Sequence, residues 1–435
     1  MANKDACSLL DRSPKGNVSR RDACKLGLAA ALTAAGRNAS AGLAPSDASR
    51  HTGDTSKFMN SKPHIAVVGA GAFGGWTALH LLRGGARVTL LDAWGPGNSR
   101  ASSGGETRVM RGAYGPSQPY TKMAARAMEL WREHEARWKE KFFYSIGVLW
   151  MVEGDGEFER GSLPMLKEAG IPFEQLSITE LARRWRQINF DKVEWGIWEP
   201  HSGFLLARAS AQAVADHFIA EGGEYRQTAI SEQGLEAGDW KGLSLSDRTT
   251  LIADRYVFAC GPWLGKLFPR TVGPHFISTK QDVFFFGTPA ADHSYDEGTL
   301  PVWADHSDHF MYGIPGNQNR GFKLADDTRG REFDPTSGQR LVDDDRLIEA
   351  RRYLAYRFPG MKDAPLLETR VCQYENTADH NFIIDRHPTN TNVWILGGGS
   401  GHGFKHGPAL GEMVARLVLK DESAEAAYRL ARFAS

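Results

Sequence analysis

The feature that most constrains the fold is a glycine-rich turn between two apolar segments. The apolar stretch His64–Val68 runs into residues 69–74, whose glycines are spaced G-x-G-x-x-G, and a helical pattern follows over residues 76–82. A second apolar stretch, residues 86–91, ends at Asp92, 23 residues after the first glycine. This order is typical of the dinucleotide-binding unit of doubly wound α/β folds. A tight turn without a ligand is the alternative interpretation, and the combination of flanking elements disfavours it.

The chemistry of a dinucleotide explains these residue types. Glycine lets the backbone approach the pyrophosphate, whose negative charge is stabilised at the N-terminus of the following helix. The acid at the end of the second strand accepts hydrogen bonds from a ribose. The predicted cofactor contacts in this unit are Gly69, Ala70, Gly71, Ala72, Phe73, Gly74 and Asp92.

Three later segments favour FAD over NAD. Residues 101–111 form a Gly/Ser loop with two arginines, and residues 256–263 form an apolar strand that runs into a glycine turn. Residues 393–419 form a strand, a glycine-dense turn and a helix predicted from about residue 408. A second strand–glycine–helix unit suits a long, extended FAD and is not needed for NAD. The predicted contacts here are Ser102, Ser103, Thr107, Arg108, Ala259, Gly261, Trp263, Gly401, His402, Gly403, Phe404 and Lys405.

Composition excludes several other classes of protein. The chain has 52 Lys+Arg and 52 Asp+Glu, so its zero net charge argues against a strongly basic nucleic-acid-binding protein. Its four cysteines lack a C-x-x-C pair, which excludes a disulfide scaffold and a zinc ribbon. The Asp/His-rich residues 305–309 are interpreted as a solvated turn, and no metal site is expected. Beyond the N-terminus, no run of 18 apolar residues predicts a membrane span.

The N-terminal residues have the features of an export signal. Arg20 and Arg21 precede an apolar run of 11 residues, which is too short to cross a bilayer, and Ala39-Ser40-Ala41 resembles a cleavage site. The sequence predicts a twin-arginine signal peptide over residues 1–41, a linker over 42–61, and a periplasmic or secreted protein. A disordered basic N-terminus is the alternative, and Ala23 stands where such signals usually carry a bulky apolar residue.

Most of residues 62–420 resembles the flavin amine oxidases of the monomeric sarcosine oxidase type, within the D-amino-acid-oxidase-like superfamily. The blocks that carry the resemblance are residues 69–74, 105–108, 111–115, 311–315, 321–323, 372–374, 382–388 and 401–405. Several such blocks in the right order are far more specific than any one of them.

The resemblance implies an α/β fold with two domains. A Rossmann-like FAD-binding domain would comprise residues 62–115, 204–265 and 366–420. A second, α+β substrate domain with a mixed or antiparallel sheet would comprise residues 116–203 and 266–365. Residues 421–435 would form a polar helical tail, and the substrate would lie between the domains against the flavin.

The resemblance also implies a covalent cofactor. In this family a cysteine in the context of Cys372 forms a thioether with the 8α-methyl group of the flavin. The plainer interpretation is a buried apolar cysteine, because free cysteine is often fully buried. That interpretation is kept for Cys260, which lies in the apolar strand before a glycine turn.

The remaining site residues are matched to the family one by one. Arg111 and Lys405 match a pair that binds the substrate carboxylate, where a guanidinium offers a bidentate grip and an ammonium adds a point charge. Surface positions are the alternative for both residues. The other matches are Arg108 beside the flavin ring, Lys323 as the lysine that activates O2, and Tyr312 and Tyr374 in the substrate pocket.

Two positions depart from the sarcosine oxidases. Gly104 and Asp327 stand where those enzymes carry histidines on the substrate side of the flavin. The change puts sarcosine itself in doubt as the substrate. A carboxylate at Asp327 suits a substrate with an additional amine or with hydroxyl groups.

The expected function is FAD-dependent oxidation of the C–N bond of a secondary amine or an N-substituted amino acid. The resulting imine would be hydrolysed, and O2 would be reduced to H2O2, in a monomer that spans no membrane and binds no nucleic acid. Three alternatives stay open: a dehydrogenase that passes electrons to a quinone or carrier, a flavin-binding protein without turnover, and an NAD oxidoreductase.

Overall fold

The computed structural model describes residues 62–236, 241–307 and 309–434. The predicted signal peptide and linker lie outside these residues, and both stay predictions. The strands are β1 His64–Val68, β2 Arg87–Asp92, β3 Thr107–Met110, β4 Phe143–Tyr144, β5 Val148–Val152, β6 Glu174–Ser177, β7 Trp195–Glu199, β8 Gly203–Leu206, β9 Glu224–Gln227, β10 Leu243–Ser244, β11 Thr250–Leu251, β12 Arg255–Phe258, β13 Phe276–Phe286, β14 Val302–His306, β15 Phe310–Ile314, β16 Phe322–Asp326, β17 Leu366–Thr377, β18 Ile383–Arg386 and β19 Val393–Gly397. The helices are α1 Ala72–Arg83, α2 Gln118–Trp138, α3 Glu157–Glu168, α4 Ile178–Arg184, α5 Ala207–Ala220, α6 Leu264–Leu267, α7 Asp344–Arg357 and α8 Gly407–Lys420.

A six-stranded sheet contains the glycine-rich unit. Its strand order is β18-β19-β12-β1-β2-β9, and every neighbouring pair is parallel except β18 with β19. Ile65 and Val67 of β1 belong to one apolar core, whereas Ala66 and Val68 belong to another on the opposite face. Both faces are therefore covered, as a parallel sheet requires. Helix α1 packs closely against α8 on the first face.

The second large sheet has eight strands and mixed pairing. Its order is β17-β13-β16-β15-β14-β5-β7-β6, in which β14 and β5 are parallel and the other pairs are antiparallel. Helix α7 contributes Ala350 and Leu354 to the core on one of its faces. The predicted α/β fold with a second mixed sheet is confirmed. A third, small antiparallel sheet has three strands in the order β3-β8-β4.

Strand β17, Leu366–Thr377, belongs to the eight-stranded sheet and not to the six-stranded sheet of its predicted domain. The sequence assigned residues 366–420 to the FAD-binding domain, but β17 pairs along the whole of β13 in the eight-stranded sheet. The chain returns to the six-stranded sheet only at β18. The long pairing with β13 satisfies the backbone hydrogen bonds of β17. The sequence pattern alone does not reveal which strand pairs with β17. The remaining domain boundaries stay predictions.

Several elements begin or end away from the positions that the sequence indicated. Helix α1 begins at Ala72 and not at residue 76, directly after Gly71 at the N-cap. The sequence indicates an amphipathic helix over residues 120–142, whereas helix α2 ends at Trp138, because Lys139 adopts a left-handed conformation with φ 57°. The sequence indicates a strand only over residues 281–286, whereas β13 begins five residues earlier, at Phe276.

The C-terminal residues differ from the expected polar helical tail. They form two 3₁₀ turns, Ala426–Tyr428 and Leu430–Phe433. Tyr428 is only 2% exposed and packs in the core beneath the six-stranded sheet, so this segment is docked on the fold. Of the helices in the described ranges, none is both long and apolar enough to cross a membrane.

Candidate active site

Three glycine turns meet at the carboxyl ends of parallel strands. They follow β1, β12 and β19, which are neighbours in the six-stranded sheet. Gly69 has φ +104°, and a Cβ there would collide with the backbone carbonyl of Ala259 in the turn after β12. Gly401 has φ +79°, and its Cβ would lie 2.6 Å from the ring of Tyr374. Only glycine permits this close approach, and ligands of open α/β sheets bind at this edge.

The acid at the end of β2 is held in place by backbone groups. The carboxylate of Asp92 accepts hydrogen bonds from the N–H groups of Ala70 at 2.8 Å, Trp94 at 2.9 Å and Gly95 at 2.8 Å. Burial raises the pKa of Asp92, and these three bonds act in the opposite direction. Asp92 therefore lies fixed between the first glycine turn and the cavity that this turn lines.

A single cavity runs from the glycine turns to the eight-stranded sheet. Four of the predicted site residues do not line it, namely Ala70, Gly74, Thr107 and Lys323. All four are buried, and a Cβ on Gly74, for example, would overlap the carbonyl of Gly69. The predicted residues that line it are Gly69, Gly71, Ala72, Phe73, Asp92, Ser102, Ser103, Arg108, Arg111, Ala259, Gly261, Trp263, Tyr312, Asp327, Cys372, Tyr374, Gly401, His402, Gly403, Phe404 and Lys405.

Arg108 joins the Gly/Ser loop to Cys372 on β17. One guanidinium nitrogen, Nη2, lies 2.6 Å from the carbonyl oxygen of Ser102 and 3.2 Å from Cys372 Sγ. The other, Nη1, donates to the carbonyl of Thr107 at 2.8 Å. A positive charge is thereby fixed beside the sulfur, at the end of the cavity nearest the eight-stranded sheet. Cys260, in contrast, lies by Val68, whose carbonyl oxygen is 3.5 Å from its sulfur, and burial raises its pKa.

Lys323 is buried beside Tyr312, which lines the cavity. Its side chain is 2% exposed, and its Nζ donates to the carbonyl of Thr107 at 3.0 Å. The ammonium also lies 5.4 Å from the centre of the Tyr312 ring. Burial, together with the nearby charge of Arg108, lowers the pKa of Lys323 to about 7. This lysine can therefore change its protonation state near neutral pH.

The two predicted carboxylate-binding cations meet on one tyrosine. The guanidinium of Arg111 lies 4.2 Å from the centre of the Tyr114 ring and donates to the carbonyl of Ala113. Lys405 Nζ donates to the Tyr114 hydroxyl and to the carbonyl of His402, both at 2.8 Å. Arg111 is 8% exposed and Lys405 is 4% exposed, so the surface alternative is wrong for both residues. Both residues line the cavity.

The two departures from the sarcosine oxidases have different surroundings. Gly104 is packed so tightly against Asn98 that a Cβ would collide with the Asn98 carbonyl, so this position has no room for a side chain. Asp327 lines the cavity and accepts a 2.8 Å hydrogen bond from the hydroxyl of Tyr374. Burial, with the charge of Asp327, raises the pKa of Tyr312 and of Tyr374.

Glu375 is a cavity residue that the sequence analysis missed. It lies on β17, three residues after Cys372, and its carboxylate accepts a 2.6 Å hydrogen bond from the Ser102 hydroxyl. Burial raises the pKa of Glu375 to about 7. The signal available in the sequence was a run of polar residues, 373–377. The structure shows that this run continues a strand and that most of its positions are buried.

The Asp/His-rich segment around residue 305 makes other contacts. Asp305 forms a buried ion pair with Arg357 at 2.8 Å, and His306 lies 2.8 Å from Glu159. Among the residues that the structure describes, no group of three or more His, Cys, Asp or Glu side chains could hold a metal ion. Residue 308 lies outside the described residues.

The comparisons with known proteins identify the family. The family model described as FAD dependent oxidoreductase matches residues 64–417. The chain belongs to this family. Monomeric sarcosine oxidase from Bacillus sp. (strain B-0618) is 30% identical over 371 residues, which are 83% of this chain and 93% of that protein. N-methyl-L-tryptophan oxidase from Yersinia pestis (strain Pestoides F) is 28% identical over 386 residues, covering 85% and 99% of the two chains.

Solved structures share the fold of this FAD-dependent oxidoreductase. L-proline dehydrogenase from P. horikoshii superimposes with a TM-score of 0.75 at 21% identity, covering 86% of this chain and 99% of that one. Fructosyl peptide oxidase from E. terrenum gives a TM-score of 0.71 at 22% identity, covering 85% and 92%. At these identities the likeness concerns the fold alone.

The residues of the cavity fit FAD. Helix α1 begins at Ala72, and its N-cap Gly71 has no side chain to cap it, so the helix N-terminus suits a phosphate. Glycine at 69 and 401 lets these two cavity-lining turns pack directly against Ala259 and Tyr374, and Asp92 supplies a fixed acceptor. The same cavity continues to Arg108, Cys372 and Tyr374, as an extended dinucleotide would require.

Proposed function

We propose that this FAD-dependent oxidoreductase oxidises the carbon–nitrogen bond of a secondary amine or an N-substituted amino acid. The observation that carries the proposal is the pair of buried cations, Arg111 and Lys405, which both contact Tyr114 beside the cavity. Two fixed positive charges in a low-dielectric site suit a substrate carboxylate. The sarcosine oxidase and N-methyl-L-tryptophan oxidase relatives act on N-methylated substrates by name, which supports the same class here.

The residues of the chain orient the substrate. FAD, when bound, supplies the acceptor for two electrons and the hydrogen taken from the substrate carbon. Arg111 and Lys405 fix the carboxylate, and therefore the direction in which the amine points. Tyr312 and Tyr374 line the other side of the cavity, and their raised pKa keeps both hydroxyls neutral at physiological pH.

The balance of the reaction defines the products. The substrate C–H and N–H bonds lose two electrons and two protons to give an imine, and water then splits the imine into a carbonyl compound and an amine. O2 takes the two electrons and two protons to give H2O2. Lys323 supports an oxidase, because a buried cation stabilises negative charge that develops on oxygen.

Asp327 refines the substrate class. Its carboxylate lines the cavity and is held by Tyr374 Oη, at a position where the sarcosine oxidases carry a histidine. An anionic acceptor beside the substrate favours a second amine or hydroxyl groups on that substrate. We therefore propose an N-substituted amino acid with an additional donor group, and not sarcosine.

The cofactor is further proposed to be covalent through Cys372. The support is that Cys372 lines the cavity, with the Arg108 guanidinium 3.2 Å from its sulfur. A thioether to the flavin would keep the yellow colour on the polypeptide after acid denaturation.

A panel of N-substituted amino acids and amines, assayed by H2O2 release, tests the proposed function. The expected result is turnover of N-substituted amino acids that carry a further amine or hydroxyl group, with H2O2 equal to the substrate consumed. Flavin reduction without H2O2 would indicate a dehydrogenase, and negligible reoxidation by O2 in stopped flow would contradict the oxidase.

A further inference from the structure

We propose that Glu375 takes up a proton when FAD binds, so that the affinity of the protein for its cofactor falls as pH rises above neutrality. The inference rests on the family's FAD and not on the proposed substrate. It concerns a carboxyl group that neither the proposed reaction nor the substrate-binding pair uses.

Glu375 lies where the parts of the cofactor cavity come together. Its side chain belongs to β17, but its Oε2 accepts a hydrogen bond from Ser102 Oγ in the Gly/Ser loop at 2.6 Å. A Cβ on Gly399 would lie 2.8 Å from Oε1, and one on Gly261 would lie 3.5 Å from Oε2. The carboxyl group therefore faces the turns after β12 and β19 as well as the loop, and all four residues line the cavity.

FAD would bring two negative charges into this cavity on its diphosphate. Glu375 is 9% exposed, so an ionised carboxylate there would interact with those charges through a low dielectric. The negative charge of the diphosphate favours the protonated, neutral form of this acid. A protonated Glu375 would instead add a hydrogen-bond donor to the cavity at no electrostatic cost.

The groups that face Glu375 act in both directions on its proton. Burial raises its pKa to about 7, whereas the Ser102 hydroxyl, the Gly399 N–H and the charge of Arg108 favour ionisation. Arg108 also donates a 2.6 Å hydrogen bond to the carbonyl of Ser102, the residue whose hydroxyl binds Glu375. Bound FAD would displace water and add negative charge, and both changes favour the proton.

The sign of the pH effect follows from linkage. Below pH 7 the carboxyl is already protonated in the free protein, so binding requires no proton uptake. Above pH 7 each unit of pH weakens binding by about tenfold, which amounts to about 30-fold between pH 6 and pH 8.5. The dependence should vanish when the carboxyl is replaced by an amide of the same shape.

The direct test measures FAD affinity in protein that carries Cys372→Ser, so that binding is reversible whether or not a tether forms. FAD fluorescence quenching from pH 6 to pH 8.5 gives the dissociation constant, and calorimetry in two buffers gives the protons taken up. With Glu375 present we expect the 30-fold loss and close to one proton taken up at pH 8. With Glu375→Gln we expect a constant affinity and no proton uptake.

Two further variants separate Glu375 from its neighbours. Lys323 titrates in the same range, but its Nζ binds the Thr107 carbonyl; the Lys323→Met protein should therefore keep the pH dependence. Ser102→Ala removes a hydrogen bond that favours the ionised carboxylate. The pH at which FAD affinity begins to fall should therefore be higher in this variant. A purely structural role for Glu375 would shift affinity equally at every pH.

The proposal is overturned if the Glu375→Gln protein retains the pH dependence, or if affinity in the presence of Glu375 is flat or rises with pH. Should the Cys372→Ser protein bind no FAD, apoprotein of the otherwise unchanged chain, expressed under riboflavin limitation, provides the same comparison. FAD uptake by this apoprotein should be lower at pH 8.5 than at pH 6, and equal at both values for Glu375→Gln. The proposal is contradicted if FAD uptake changes between pH 6 and pH 8.5 to the same extent in both proteins. FAD binding at pH 6 with no amine oxidation would contradict only the proposed function.

Discussion

Replacing Arg111 by methionine should separate substrates that carry a carboxylate from those that do not. The side chain is 8% exposed, and its guanidinium lies over Tyr114 at 4.2 Å, so its charge acts through a low dielectric. A hydrogen bond to a charged group contributes about 1.5–3 kcal/mol, and a bidentate grip lies at the upper end of this range. We expect a loss of about 3 kcal/mol with an N-methyl amino acid, or roughly 100-fold in kcat/KM.

The assay compares an N-methyl amino acid with the matched N-methyl amine that lacks the carboxylate. With the amine, Arg111→Met should change kcat/KM by less than about threefold, because the carboxylate contact is absent from both enzymes. Arg416→Met is a control, since Arg416 is half-exposed on α8 and pairs with Glu422. Arg416→Met removes one positive charge far from any predicted substrate contact, and it should leave kcat/KM unchanged for both substrates.

The reasoning is refuted if Arg111→Met lowers kcat/KM equally for the two substrates. That result would mean that the arginine supports the fold or the cofactor and does not bind the carboxylate. Thermal unfolding of the variant shows whether the protein is intact. Loss of the bond to the Ala113 carbonyl should cost about 1.5–3 kcal/mol, because its donor is charged.

Three other substitutions test separate parts of the site. Lys323→Met should slow reoxidation by O2 about 100-fold in stopped flow; in the unchanged enzyme this rate should fall as pH rises through about 7, where the lysine loses its charge, and an unchanged rate in the variant would count against the oxidase role. Asp327→Asn should reduce the preference for a substrate with a second amine over a neutral one of equal size by about tenfold; an equal change for both substrates argues against recognition by Asp327. Cys372→Ser should release yellow flavin into the acid supernatant while the unchanged chain retains it, and equal release from both would exclude the tether.

The cofactor end of the site is readily predicted from the sequence. The glycines at 69 and 401 have positive φ and close backbone contacts, and these requirements restrict the choice of residue so strongly that the motif is visible in one sequence. Strand β1 was recognised for a similar reason, since its buried apolar run before a glycine turn fits few other structures.

The part of the site that strands β16 and β17 contribute is less predictable from the sequence. Glu375 was missed because a glutamate in a strand normally faces solvent, and its burial follows from the long pairing of β17 with β13. That pairing joins residues about 90 positions apart, and no local pattern specifies it. Lys323 was identified through the resemblance, but its hydrogen bond to the Thr107 carbonyl depends on how β16 meets the end of the Gly/Ser loop.

Anaerobic mixing with an N-substituted amino acid tests the central claim most directly. The account predicts that one equivalent of substrate bleaches the flavin absorbance, that equal amounts of carbonyl compound and amine appear, and that admitting O2 restores the colour with one equivalent of H2O2. A flavin that stays oxidised with every N-substituted amino acid and secondary amine of the panel would contradict the account.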